Sequence, residues 1–271
     1  SGYYEQFKDN AKLKSYNLSE KVVIDGKEVN IKLTDIVRRK NLDNDFFGGV
    51  WSLNYVQDAF DLHLGGALNR YDGAHFGNVI FARNYPLPLK DFEYYRNNGQ
   101  KTDGNVYLKG AYRLERWLSI FGDLQYRYVG YTISGINDQG LKPIEVSRRY
   151  HFFNPKVGIA YSQGGHNAYA SFAVANREPS RSNFTEAGAN DVPLPERLFD
   201  YELGYNLVRD RFSIGANLYF MNYKNQLVLT GKYSDTGAYL TQNVEKSYRT
   251  GIEIVGDVRI FDWLSWDANI T

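Results

Sequence analysis

Apolar and polar residues alternate along most of this chain, in runs that come in pairs with only a few residues between the two members. In one run, Tyr201, Leu203 and Tyr205 are separated by Glu202 and Gly204. A period of two places successive side chains on opposite faces of a β-strand. The pattern therefore predicts pairs of antiparallel strands, each with an apolar face and a polar face.

The runs amount to about ten strands, or about five hairpins, and longer connections separate one hairpin from the next. They cover residues 49–56, 60–71, 105–114, 117–134, 152–162, 167–176, 198–207, 212–229, 239–260 and 263–271. Short turns at one end of the strands and long loops at the other are typical of an outer-membrane β-barrel. We therefore predict an all-β fold, an antiparallel meander of about ten long strands. It would form part of a larger transmembrane β-barrel with short periplasmic turns and long extracellular loops.

The first part of the chain lacks this sustained alternation, and we assign residues 1–45 to an extracellular loop region and 46–271 to a partial transmembrane barrel. Within the first part, two short β-rich stretches flank Asp25-Gly26, which predicts a small hairpin because Asp-Gly favours a tight turn. Thr34-Asp35 before Ile36 predicts the start of a short helix. Alternation continues to Thr271, so we expect the chain to be a fragment of a longer protein.

The amino-acid composition limits the classes of function that the chain can have. Aromatic residues make up 16% of the chain, with 23 Tyr and 4 Trp, and Tyr suits both strands and membrane interfaces. Trp117 and Trp263 each stand beside a short turn, which predicts an interfacial girdle. The alternative is that these indoles cap the core of a soluble β-sandwich. A net charge of +1 gives no field that would attract nucleic acid.

No catalytic constellation or metal-ligand spacing is visible in the sequence. The chain has no Cys, which excludes thiolate catalysis and Cys-ligated metals, and its 4 His residues are scattered. No apolar run reaches the roughly 20 residues of a membrane-spanning helix. We therefore predict a protein that is not an enzyme and that needs no cofactor.

Residues that could capture a ligand lie where strands meet the long loops. Aromatic rings can stack on a ligand, and Arg, Glu and His can hydrogen bond to it. The predicted mouth residues are Tyr71, His75, Phe76, Tyr94, Tyr95, Arg96, Arg177, Glu178 and Arg181. The alternative is that these loops are simply solvated and pack on one another. Arg148 and Arg149 are candidates for contacts with lipopolysaccharide phosphates.

Four segments resemble the barrel of TonB-dependent outer-membrane receptors, the gated importers of Gram-negative bacteria, in the type found in gut bacteria. They include an Arg-x-Pro strand end at Arg177-Glu178-Pro179 and a Gly-x-Glu strand at Gly251-Ile252-Glu253, and they cover residues 35–49, 175–184, 196–225 and 242–254. The chain departs from the family in having no plug domain, no TonB-binding segment and fewer than half of about 22 strands. The resemblance therefore implies the barrel portion only.

The resemblance implies a nutrient importer in the bacterial outer membrane, with a siderophore, cobalamin, glycan or peptide as cargo. Its implied partners are the TonB complex, reached through the missing N-terminal part, outer-membrane lipid and lipopolysaccharide. A surface lipoprotein is a further candidate partner, and nucleic acid is not. The main alternative is a soluble or surface-attached β-rich module that binds carbohydrate or peptide, in which the apolar positions would pack into a second sheet. An outer-membrane enzyme is a third class, which lacks a supporting nucleophile and base.

Overall fold

Long antiparallel strands dominate the computed structural model, which describes residues 1–85, 89, 92–138, 140–185, 192–233 and 239–271. A short 3₁₀ helix, Leu13–Tyr16, and one helix, α1 (Arg181–Thr185), lie in the connections. The strands are β1 (Gly2–Lys12), β2 (Lys21–Ile24), β3 (Lys27–Asn30), β4 (Leu33–Gln57), β5 (Phe60–Ala82), β6 (Phe92–Glu115), β7 (Leu118–Ile136), β8 (Pro143–Gln163), β9 (His166–Arg177), β10 (Glu196–Val208), β11 (Phe212–Tyr233), β12 (Tyr239–Phe261) and β13 (Leu264–Ile270).

The strands form one meander. The main sheet has 11 strands in the order β1-β4-β5-β6-β7-β8-β9-β10-β11-β12-β13, and β2 pairs only with β3. Neighbouring strands are antiparallel throughout. The predicted all-β meander is confirmed, and each strand predicted from 49 to 260 is present. Most of the long strands extend further toward the long connections; β4 reaches 25 residues, against the roughly 9–11 that cross a hydrocarbon layer.

In residues 1–45, the structure contradicts one prediction and confirms another. The helix predicted at Thr34 is wrong, because these residues begin β4 and pair with β1, with Phe7 opposite Val37. Strand pairing supplies the backbone hydrogen bonds that a helix would otherwise provide. The hairpin around Asp25-Gly26 is confirmed, and both residues have positive φ, 50° and 75°, as a tight turn requires. The extracellular placement of residues 1–45 stays a prediction.

The two faces of the main sheet differ as the alternation predicts. On one face apolar side chains stand exposed in rows across neighbouring strands; Leu203 lies opposite Leu218, which lies opposite Ile252. The other face carries polar and charged side chains. The connection after β9 folds over this polar face, because Glu178 reaches Lys101 on β6 and Arg127 on β7. The polar face is therefore the inner one and the apolar face the outer one.

Buried side chains gather on the inner face at the end with the long connections. One cluster joins the 3₁₀ helix to β4, β5 and β6 through Leu13, Ile36, Val79 and Tyr94. A second consists of Val129, Tyr150 and Phe152 on β7 and β8. Among the described residues, no helix is long and apolar enough to cross a membrane. The packing is thus concentrated around the opening, which we call the mouth.

Candidate ligand-binding mouth

A cavity of about 900 Å³ opens on the inner face at the mouth. Its walls come from β1, β4, β5 and β6 and from the connections after β7 and β9. The side chains that line it include Gln6, Arg38, Lys40, His75, Tyr95 and Arg181. A site of this size is large enough for a small molecule of several rings.

Tyr94 and Tyr95 face the same side because β6 bulges at this point. The register shifts between Gly77 and Asn78, so Gly77 pairs with Tyr95 and Asn78 with Glu93. A bulge turns two consecutive side chains toward one face. The two rings pack edge to face at 5.0 Å, and Gly77 makes room for them, since a Cβ there would lie 2.3 Å from Tyr95 and 2.6 Å from Tyr94.

Asp138, in the connection after β7, contacts the positively charged side chains at the β4 wall of the cavity. It binds Lys40, lies 3.9 Å from Nη1 of Arg38, and accepts a hydrogen bond of 3.2 Å from the Tyr94 hydroxyl. Arg38 also donates to Oε1 of Gln6 at 2.7 and 3.2 Å, which fixes the plane of its guanidinium. The register of β1 against β4 brings Gln6 opposite Arg38.

Glu178 fastens the connection after β9 onto the inner face. Its side chain is 10% exposed and accepts hydrogen bonds from Nζ of Lys101 at 2.5 Å and from both terminal nitrogens of Arg127 at 2.9 Å. Arg127 also donates to Asp103. Burial acts to raise the pKa of Glu178, but the hydrogen bonds from Lys101 and Arg127 outweigh it, so the pKa lies below its ordinary value. We call this group the Glu178 clasp.

The clasp places Arg181 over the cavity. Nη2 of Arg181 donates to Oδ1 of Asn97 at 2.5 Å, and Nδ2 of Asn97 donates to the carbonyl of Ile136 at 2.9 Å. Nη1 of Arg181 and Nε2 of His75 are buried and have no hydrogen-bond partner among the residues that the structure describes. Both residues line the cavity, so it holds polar groups with unused hydrogen-bonding capacity.

The predicted mouth residues divide between the two faces. His75, Tyr95 and Arg181 line the cavity, with Tyr94 and Glu178 behind it as supports, and Tyr71 lies on the same face opposite Lys101. The other three lie elsewhere. The Arg96 guanidinium stands 4.1 Å above the Phe76 ring on the outer face and bonds to Glu93. Arg177 lies on the inner face but outside the cavity, where it is exposed and pairs with Glu196.

The sequence pattern did not predict the positively charged wall of the cavity that Arg38 and Lys40 form. Arg38 and Lys40 occupy alternate positions of β4, and a period of two places them on one face, but the sequence pattern predicts a loop and the start of a helix here. Asp138 lies in a connection, and no local pattern indicates that it meets β4. Among the described ranges, no three acidic or His side chains come together as a metal site.

Trp117 and Trp263 lie at the opposite end of the strands from the mouth. Trp117 packs edge to face against Tyr161 at 5.7 Å, and Trp263 stacks on Phe261 at 5.5 Å and is 80% exposed. Both therefore belong to aromatic pairs beside short turns. Their role in an interfacial girdle stays a prediction.

Comparisons with known proteins agree with the architecture. A family profile described as TonB dependent receptor-like, beta-barrel, matches residues 1–271. Among solved structures, similar folds occur in a copper transporter (TM-score 0.69, 15% identity, 88% of this chain and 37% of the other). A similar fold occurs in the ferric yersiniabactin uptake receptor of Yersinia pestis, with a TM-score of 0.60 and 16% identity over 88% of this chain and 35% of the other. Another occurs in the ferric-catecholate import receptor of E. coli K12, with a TM-score of 0.55 and 18% identity over 85% of this chain and 37% of the other. The chain thus spans less than half the length of these structures. No curated protein sequence matches it.

Proposed function

The chain belongs to the TonB-dependent receptor β-barrel family and is an outer-membrane protein, and from that premise we propose that it forms part of the barrel wall of a nutrient importer. The whole receptor would bind a scarce nutrient at the cell surface and admit it when the TonB complex acts on a segment outside this chain. Outer-membrane lipid and lipopolysaccharide would surround the barrel, and a surface lipoprotein is a further candidate partner.

The observation that carries the proposal is the cavity at the mouth. It lies on the inner face, at the end of the long connections, where a nutrient would enter from outside. Among the described residues that line it, Lys8, Arg38, Lys40 and Arg181 stand against one carboxylate, that of Asp138. This excess of positive charge favours an anionic ligand, and the aromatic side of Tyr95 offers a surface for its apolar part.

The mouth would work by binding alone, with no bond made or broken by this chain. Arg181 and His75 would supply hydrogen bonds that the described residues leave unused, and Arg38 and Lys40 would supply charge. Energy for import would come from the inner membrane through TonB. The cargo would be an anionic member of the classes that the sequence suggests, a siderophore complex or an acidic glycan or peptide.

A pair of arginine substitutions tests this proposal. Arg181→Gln removes a cavity donor, whereas Arg96→Gln removes the same charge on the outer face, 4.1 Å above Phe76. The purified full-length receptor would be titrated with ferric citrate, a ferric catecholate, cobalamin and an acidic oligosaccharide. We expect Arg181→Gln to weaken the best ligand about tenfold or more and Arg96→Gln to leave it within about twofold, as a lost charged hydrogen bond predicts. Equal effects of the two variants would contradict the proposed site.

A further inference from the structure

An aromatic row crosses the outer face of four neighbouring strands. The ring centroids of Phe172 and Tyr201 are 4.9 Å apart, those of Tyr201 and Phe220 6.2 Å, and those of Phe220 and Tyr248 6.1 Å. These residues belong to β9, β10, β11 and β12 in turn. Below the row, toward the short turns, the outward positions of β10, β11 and β12 are aliphatic, aromatic or Gly, apart from Thr250, which lies opposite Phe220. The row therefore lies at the upper border of the apolar band.

Three cations stand side by side just above this row. Arg197 of β10 lies opposite Lys224 of β11, which lies opposite Lys246 of β12. All three are exposed. They share the outward face with Tyr201, Phe220 and Tyr248, because each cation lies an even number of residues from the aromatic residue of its own strand. We call them the cationic row. At a rise of about 3.4 Å per residue, Lys246 lies about 7 Å along the strand from Tyr248, and Arg197 about 14 Å from Tyr201.

Among the residues that the structure describes, no carboxylate balances the cationic row. The outward positions of β10, of β11 up to Lys224 and of β12 from Lys246 contain no Asp or Glu. Glu196, the sequence neighbour of Arg197, points to the inner face, where it binds Arg177. Among the described residues, the one hydrogen bond made by these three side chains runs from Nε of Arg197 to Oδ1 of Asn176, at 2.9 Å. Like charges directly opposite each other in a sheet destabilise it unless an anion lies between them.

We propose that the cationic row binds the phosphate groups of an outer-leaflet lipid, the phosphorylated headgroup of lipopolysaccharide. The aromatic row would sit at the level where acyl chains meet headgroups, and Arg197, Lys224 and Lys246 would meet phosphates just above it. The proposal rests on the outer-membrane placement and on the long connections facing outward. It does not depend on which nutrient the mouth takes up.

The row differs from the pair of arginines that the sequence suggested for this role. Arg149 occupies an outward position of β8 and lies opposite Gly130, and Arg148 lies opposite Tyr131 on the inner face. Neither has a second cation beside it in the register of β7. A bisphosphorylated headgroup is better matched by charges on three adjacent strands, which lie roughly 5 Å apart.

Binding of lipid A to the full-length receptor in detergent, measured by native mass spectrometry, tests the proposal. The variant carries Arg197→Gln, Lys224→Gln and Lys246→Gln. The control carries Lys21→Gln, Lys27→Gln and Lys32→Gln, which removes the same charge from exposed positions in and beside the β2–β3 hairpin. We expect roughly fivefold weaker binding per cation removed from the row, because each Lys or Arg near an anionic surface contributes about 1 kcal/mol. The control should bind as the wild type does.

Two further probes identify the source of the phosphate. Dephosphorylated lipid A should bind the wild type as weakly as phosphorylated lipid A binds the triple variant, and millimolar inorganic phosphate should not displace the lipid. Wild-type affinity in the triple variant, or equal binding of dephosphorylated lipid, would overturn the proposal. Displacement by inorganic phosphate would show a site for free anions and overturn the assignment to lipid. Loss of nutrient binding with lipid binding retained would count against the proposed import function alone.

Discussion

The outer wall of β10–β12 and the inner wall at the mouth are built from the same alternating pattern but are stabilised differently. On the outer wall, Tyr201, Leu203 and Tyr205 remain 45–53% exposed, so water would meet an apolar surface. At the mouth, Arg38, Lys40 and Glu178 are largely withdrawn from solvent and each has a defined partner. The outer wall therefore depends on its surroundings being lipid, whereas the inner wall depends on pairwise contacts. Substitutions on the two walls should therefore have different effects.

A charge in the middle of the outer wall should produce the largest effect. Leu203→Lys places an amine beside Leu218 in the apolar band, and a lipid-facing Lys near the midplane costs about 2–4 kcal/mol of unfolding free energy. Urea titration of the full-length receptor in lipid vesicles measures it. Ser171→Lys is the control, because Ser171 lies on the inner face opposite Glu202. If Leu203→Lys were no more costly than Ser171→Lys, the lipid-facing assignment would be wrong.

A methyl group at Gly77 should disturb the inner wall. The added Cβ would lie 2.3 Å from Tyr95, so the paired tyrosines must shift, and overpacking of this kind costs roughly 1–3 kcal/mol. Gly49→Ala is the matched control, since nothing lies within 4 Å of a Cβ at that position. The same urea titration compares them. Equal stability of the two alanine variants would show that the Tyr94–Tyr95 packing is looser than described.

Removing the clasp should loosen one connection and leave the sheet intact. In Glu178→Ala, Lys101 and Arg127 lose their shared acceptor, and a hydrogen bond to a charged group contributes about 1.5–3 kcal/mol. Hydrogen exchange should therefore accelerate in residues 178–185 and not in β10 or β11. Glu145→Ala, at an exposed position of β8, serves as the control. Unchanged exchange in residues 178–185 would mean that the clasp does not hold the connection.

The smallest expected effect is a pH dependence of the mobility of the same connection after β9. The pKa of Glu178 lies below its ordinary value of 4.5, so the clasp is fully formed above that value and weakens as the pH falls through the lowered one. A spin label at Ser182, in α1, should keep its mobility from pH 7 to about pH 5 and become mobile only in stronger acid. In Glu178→Gln this step should disappear. A mobility change near neutral pH would point to a different titrating group.

The sequence predicted the strands and their two faces, because a period of two is a local property and each strand is long. It also gave His75, Tyr95 and Arg181 as predicted mouth residues; these three line the cavity, and their role in ligand binding stays a prediction. It could not predict that Arg38 meets Asp138, because that contact depends on the path of the connection after β7. Nor did it separate Phe76 from His75, because the predicted strand ended at residue 71, whereas β5 continues to Ala82 and consecutive strand residues point to opposite faces.

The most direct test of the account is the accessibility of spin labels on consecutive residues of one strand. The chain contains no Cys, so a Cys introduced at each of residues 201–206 of β10 in turn is its single labelling site. The labels are read in the full-length receptor in lipid vesicles, with any Cys outside this chain replaced by Ser. Labels at Tyr201, Leu203 and Tyr205 should collide mainly with lipid-soluble oxygen, and labels at Glu202, Gly204 and Asn206 mainly with a water-soluble nickel chelate. A uniform accessibility along the strand, or water access at Leu203 equal to that at Glu202, would contradict a barrel wall with lipid on its apolar face.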